Sequence, residues 1–121
     1  MNVLVVEDDD ASRELIKEVL SCIGHIPVLA SNGLEAMERL LNQDVDLILS
    51  DMDMPTMSGL AFHKTVRSIR QYERIPWIFL TAYPTLSKYA KGLTPEYDLI
   101  LQKPYPIEKL IALFSGKLEE I

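Results

Sequence analysis

Short, β-rich apolar runs alternate with segments of helical period along this chain, and the pattern repeats five times. Few folds accommodate it. The runs are Val3–Val6, Ile26–Ala30, Asp46–Ser50 (around Leu47, Ile48 and Leu49), Ile75–Leu80 and Tyr97–Leu101. A run without polar alternation belongs to a strand covered on both faces. Between the runs, apolar residues recur at helical spacing. Leu15, Val19 and Cys22 or Ile23 follow the first, with Asp9 or Asp10 able to cap. Leu34, Met37, Leu40 and Leu41 follow the second, and Phe62, Val66 and Ile69 the third. A weakly patterned helix is predicted between Pro84 and Gly92. The last helix carries Ile107, Leu110, Ile111, Phe114 and Leu118. Five successive β-then-α units predict a doubly wound α/β fold, a five-stranded parallel sheet flanked by five helices through right-handed crossovers.

A chain of 121 residues accommodates one such unit, so residues 1–121 are expected to form a single domain. The formal net charge of -6 and the scattered basic residues argue against direct nucleic-acid binding, which needs clustered cations. One cysteine, Cys22, rules out an internal disulfide and a cysteine metal cluster; its place in an apolar helical pattern predicts a buried thiol. No run reaches a membrane span, and Met1–Val6 leads into acids without a basic secretory n-region. A cytoplasmic location with no membrane contact is expected.

In doubly wound folds, ligands gather beyond the carboxyl ends of the strands. Glu7 and Asp8 follow the first strand, Asp51 the third with Asp53 two residues on, Thr81 the fourth and Lys103 the fifth. Each has an ordinary structural role available, as a helix-dipole partner, turn former, strand residue or surface lysine. Their joint placement on one rim is what points to chemistry. Clustered carboxylates repel by roughly 4 kcal/mol per pair at about 4 Å and an effective dielectric near 20. Mg²⁺ is the natural compensator, since it uses one or two carboxylates together with waters and phosphate oxygens. Glu7, Asp8 and Asp51 can supply such a shell. A carboxylate beside the metal can accept a phosphoryl group, with Lys103 and the Thr81 hydroxyl covering the remaining oxygens.

At Val3–Asp9, Leu47–Pro55, Gly59, Leu80–Ala82 and Lys103–Pro104, the chain resembles the receiver domains of two-component response regulators, the chemotaxis regulators included. That resemblance spans essentially the whole length and implies the flavodoxin-like receiver fold. It implies Asp51 as phosphoacceptor, Glu7 and Asp8 as the acidic metal-binding pair with Asp8 the direct ligand, and the backbone carbonyl of Asp53 as a further metal ligand. Thr81 becomes the switch hydroxyl, Lys103 the phosphate-pairing lysine, and Lys103–Pro104 a cis bond. Asp53 and Tyr83 are implied to influence hydrolysis of the aspartyl-phosphate. Implied partners are a sensor histidine kinase or histidine phosphotransfer protein, a downstream effector or output domain, and a second copy on phosphorylation.

One position departs from the family. Ile100 stands where an aromatic ring usually reports the switch, so readout by ring rotation is not expected. The expected partner face comprises Pro84–Gly92 with Lys88, Tyr89 and Lys91, the fifth strand and the helix after Pro104. Two other readings compete. Asp51-Met52-Asp53 superficially matches the nucleophile motif of haloacid-dehalogenase-like phosphatases, although Pro55 and the lack of room for a cap domain oppose it. A phosphate-independent pseudo-receiver is the other, kept open by Ile100.

Overall fold

Val3, Leu4, Val5 and Val6 are all fully buried, and burial of consecutive residues requires cover on both faces of their strand. The computed structural model, which describes residues 1–52, 54, 57–82, 93, 94 and 96–114, supplies that cover. In chain order the elements are β1 (Asn2–Val6), α1 (Asp10–Cys22), β2 (Ile26–Ala30), α2 (Gly33–Asn42), β3 (Leu47–Asp51) and α3 (Gly59–Arg67). A 3-10 turn at Arg70–Tyr72 leads to β4 (Trp77–Thr81), followed by β5 (Asp98–Gln102) and α4 (Ile107–Phe114). All strand pairs are parallel, in the order β2-β1-β3-β4-β5. The doubly wound five-stranded sheet is as expected, with four α-helices among the described residues. The helix predicted over Pro84–Gly92, and the end of the last helix at Leu118, lie outside those residues.

Alternating side chains of each strand feed two cores. Leu4, Val6, Ile48, Trp77 and Phe79 meet α2 and α3 through Ala36, Leu40, Phe62 and Val66. Val3, Val5, Leu49, Ile78 and Leu80 meet α1 and α4 through Ile16, Leu20, Leu110 and Leu113. The entries of α1, α2 and α3 are each capped by a side chain. Asp9 accepts from the Ser12 N–H at 2.8 Å, Asn32 from Glu35 at 2.8 Å, and Ser58 from Ala61 at 3.1 Å. The three bonds each hold a first turn where a strand-end loop becomes a helix. Gly24, with φ 90°, turns the chain out of α1.

Three details depart from the sequence reading. The inward stripe of α1 is Ile16, Val19, Leu20 and Ile23, so Leu15 is exposed. Cys22 is exposed too, correcting the expected buried thiol. It lies two residues past Leu20, about 200° around the helix, and faces away from the sheet. On α2, Ala36, Met37 and Leu40 pack inward while Leu34 and Leu41 are each 63% exposed. Both helices rotate so that i, i+3, i+4, i+7 sets meet the sheet, and neighbouring apolar residues stay outside.

Candidate functional site

The strand order reverses between β1 and β3, and the carboxyl ends of those two strands form the floor of an acidic pocket. Val6 lies in register between Ala30 and Ser50, so Glu7 and Asp51 project from adjacent strand ends. Asp51 is the last residue of β3, one position later than the strand predicted from sequence, and is buried. Glu7 continues the ladder by donating its N–H to the Ala30 carbonyl at 3.1 Å. Its side chain is only 2% exposed. Asp8 stands at the solvent edge. One carboxylate oxygen from each of Glu7, Asp8 and Asp51 lies within 4.8 Å of the others.

Lys103, just beyond β5, extends its ammonium into this cluster. Nζ is 3.4 Å from Glu7 Oε1 and 3.6 Å from Asp51 Oδ1. A single lysine cannot neutralise three carboxylates. Burial, followed by the neighbouring Asp51 charge, pushes the Glu7 carboxyl up to about 7, against the opposing pull of Lys103. The Glu7 Oε2 atom is buried with no hydrogen-bond partner. Tyr105 lines an adjoining cavity together with Glu7 and Lys103. Burial and the charges of Glu7 and Asp51 raise its hydroxyl to about 12, so it stays protonated.

Thr81 ends β4 and is fully buried, in register with Gln102. Its carbonyl accepts the Lys103 N–H at 2.6 Å, tying the ends of β4 and β5 together at the pocket. The Lys103–Pro104 peptide is cis, as expected. Ile100 is half-buried, in register with Phe79, and packs against the core on the α2 and α3 side. The structure thus brings Glu7, Asp8, Asp51 and Lys103 together, with Thr81 on the same rim. Asp53, Tyr83 and the Lys88, Tyr89 and Lys91 group lie outside the described residues.

Gly59 supports the pocket from below. It donates its N–H to the Met52 carbonyl at 2.8 Å, and a Cβ added to it would stand 2.3 Å from the Asp51 carbonyl oxygen. Only glycine permits α3 to begin that close to the end of β3.

Sequence reasoning missed two groups. Arg13 on α1 donates to the Glu7 carbonyl at 2.8 Å, immediately behind the acids. Its helical position, one turn past the acidic run, was the available signal. At the opposite end of the sheet, Asp98 is buried against His63 at 2.9 Å and Arg67 at 2.7 Å, and accepts the Thr94 N–H at 2.8 Å. His63 also sits among the rings of Trp77 and Phe79, and the Arg67 guanidinium lies over Trp77. An acid opening an apolar strand, with a His and an Arg four residues apart on a helix, is the pattern that carries this cluster.

A doubly wound α/β domain places its ligand site at the switch point of the sheet, and here that point gathers three acids and a lysine. Comparison with known proteins identifies the family of the chain. The family model for the response regulator receiver domain matches residues 3–115, and the chain belongs to that family. It is 34% identical over 123 residues to a chemotaxis protein CheY homolog of Campylobacter jejuni, covering all of this chain and 92% of the relative. It is 35% identical over 118 residues to response regulator MprA of Mycobacterium sp. (strain KMS), where 98% of this chain corresponds to 50% of the relative. The chain therefore spans about half the length of that regulator. Among solved structures, chemotaxis protein CheY4 of Vibrio cholerae superposes with a TM-score of 0.85 at 31% identity, over 93% of this chain and 94% of the other. No helix among the described residues is long and apolar enough to cross a membrane.

Proposed function

We infer that residues 1–121 form one receiver domain working as a phosphorylation-dependent switch, with Asp51 as the phosphoryl acceptor. The observation that carries this reading is the convergence of Glu7, Asp8 and Asp51 within 4.8 Å, with the Lys103 ammonium 3.6 Å from Asp51. Phosphohistidine of a sensor kinase or phosphotransfer protein is the matching donor. An Asp51 carboxylate oxygen forms the new P–O bond as the donor P–N bond breaks, and the departing imidazole nitrogen keeps the electron pair. Lys103 balances charge on the incoming phosphoryl oxygens, and the Thr81 hydroxyl is the nearby donor for one of them. A downstream effector, an output domain or a second copy then reads the altered surface. With Ile100 in β5, that readout proceeds without an inward-turning ring at this position.

Mg²⁺ is the cofactor that fits. Mg²⁺ would be held through carboxylate oxygens, and one from each of the three acids lies within 4.8 Å of the others. The orphaned Glu7 Oε2 is an oxygen in want of a cation or a water. When bound, the ion supplies positive charge to the acceptor and to the transferring oxygens. The carbonyl of Asp53 is a further proposed ligand.

Incubation with acetyl phosphate and Mg²⁺ tests the reading by intact mass. A stoichiometric gain of one phosphoryl group is expected, lost in Asp51→Asn and reversed by mild base. No gain in a folded sample would defeat it. Catalytic hydrolysis of a phosphomonoester, without retained phosphate, would favour the phosphatase reading instead.

Glu7 supplies a second expectation. A carboxyl whose folded value is raised, from 4.5 to about 7, binds its proton more tightly in the native state. Stability therefore falls as pH rises through that window, by about 3 kcal/mol in the absence of divalent cations, and stays level above it. Mg²⁺ binds the ionised form and should abolish the decline. Urea unfolding between pH 4.5 and 8, with chelator or with Mg²⁺, measures both; a flat profile in chelator contradicts the assignment.

A further inference from the structure

We propose that Arg13 is a positioning residue for the cation site, orienting the β1–α1 turn so that the Glu7 and Asp8 carboxylates face Asp51. The inference rests on the reading of the acidic pocket given above. The turn runs from the buried end of β1 to the first residues of α1, and its two acids hang from adjacent peptides. On one side the Glu7 N–H is held by the Ala30 carbonyl of β2 at 3.1 Å. On the other, the Glu7 carbonyl accepts Arg13 Nη1 at 2.8 Å. Because a peptide is planar, fixing the direction of that carbonyl also fixes the Asp8 nitrogen and Cα. Asp8 is exposed at the pocket edge, so this backbone hold is what directs its carboxylate inward.

Arg13 is itself well placed to hold. Its backbone N–H donates to the Asp9 carbonyl at 2.9 Å in the first turn of α1, where the Asp9 side chain caps by accepting from Ser12 at 2.8 Å. Nη2 pairs with Asp10, whose side chain is almost fully exposed. The Arg13 side chain, 18% exposed, thus braces a rigid helix turn against the peptide just past a central strand. Its planar fork lets one nitrogen serve the carbonyl while the other serves Asp10, an arrangement that lysine cannot reproduce.

Electrostatics and positioning predict opposite signs, which makes the role testable. Arg13 is a cation near a cation site, so by charge alone its removal strengthens Mg²⁺ binding. As a positioning residue, its removal weakens binding, by about tenfold if it resembles other groups that orient metal ligands. Calorimetric titration of Mg²⁺, without any phosphodonor, is the readout, on wild type, Arg13→Ala, Arg13→Lys and Asp10→Ala. Arg13→Ala should bind about tenfold more weakly, with Arg13→Lys between it and wild type. Asp10→Ala removes only an exposed ion pair and should stay within about twofold of wild type. Acetyl-phosphate kinetics should follow, with the Mg²⁺ dependence of Arg13→Ala shifted upward and its rate at saturating Mg²⁺ recovered. Unchanged or tighter binding by folded Arg13→Ala overturns the proposal. Should that variant not fold, Arg13→Lys decides it, with wild-type affinity counting against. Absence of Mg²⁺ binding by the wild type would instead overturn the pocket reading, and this proposal with it.

Discussion

Gly59→Ala is expected to destabilise the protein by about 3 kcal/mol and to displace Asp51 from its place in the pocket. The added methyl would lie 2.3 Å from the Asp51 carbonyl oxygen and 2.7 Å from the Met52 Cα. Both are backbone atoms at the end of a central strand, and neither can swing aside as a flexible side chain would. The Asp51 carbonyl also accepts the Ser50 hydroxyl at 2.9 Å, so moving it disturbs a second buried bond. Alanine is favoured over glycine in helices by up to about 1 kcal/mol, which falls short of the steric cost. Gly24→Ala provides the contrast. Its φ of 90° strains alanine, but nothing lies within 4 Å of the new atom. That variant should lose only about 1 kcal/mol and leave Mg²⁺ binding unchanged. Urea unfolding of the two variants, with Mg²⁺ titration, checks the pair. A Gly59→Ala protein as stable as wild type would show that β3 yields more easily than its burial implies.

The second large effect belongs to the far end of the sheet. Asp98→Ala is expected to cost about 3 to 5 kcal/mol, because it leaves Arg67 and His63 in a buried setting without their anion. Asp98 is the hub: its Oδ1 receives both side chains while its Oδ2 takes the Thr94 N–H. Burial alone would raise its carboxyl, yet the bonds from His63, Thr94 and Arg67 outweigh it and hold the group below its usual value of 3.8. A carboxyl depressed in the native state contributes stability that is present above the unfolded value and lost as pH falls through the folded one. Wild type and Asp98→Ala should therefore differ most near neutrality and converge in strong acid. This window lies below that of Glu7, and the slopes have opposite sign. Denaturant midpoints across pH 2 to 7 separate the contributions. Equal midpoints at pH 7 would remove Asp98 from any role in stability.

Much of this was legible in the sequence because the period of the apolar residues changes from strand to helix so regularly. Val3–Val6 and Leu47–Leu49 could only be covered strands, and five of them in alternation left a single architecture. The pocket was legible for the same reason, since Glu7, Asp51, Thr81 and Lys103 each punctuate the carboxyl end of an apolar run. Rotation of the helices was less so. Leu15 beside Ile16, and Leu41 beside Leu40, offer nearly equivalent apolar stripes, and only docking on the sheet selects between them. Cys22 followed the wrong stripe. The Asp98 cluster was hidden because its members come from separate elements, and an isolated acid at a strand start reads as a turn residue. Arg13 was hidden because its partner is a main-chain carbonyl, and only its place one turn past the acidic run pointed to it.

Glu7 and Lys103, 96 residues apart, meet only when β1 and β5 occupy the same sheet. Folding must close that long separation before the lysine joins the acids, so loop-closure entropy falls on the site as much as on the core. A nascent chain lacking β5 has the acids without their lysine. On the proposed reading, such a chain should accept phosphate poorly, because the Lys103 ammonium that pairs with it is missing. The converse follows by mass action. A cation that binds only the finished site, at about a hundred times its Kd, adds about 2.7 kcal/mol to the native state. On the proposed reading, the carboxylates that hold the cation then also report that the fold is complete.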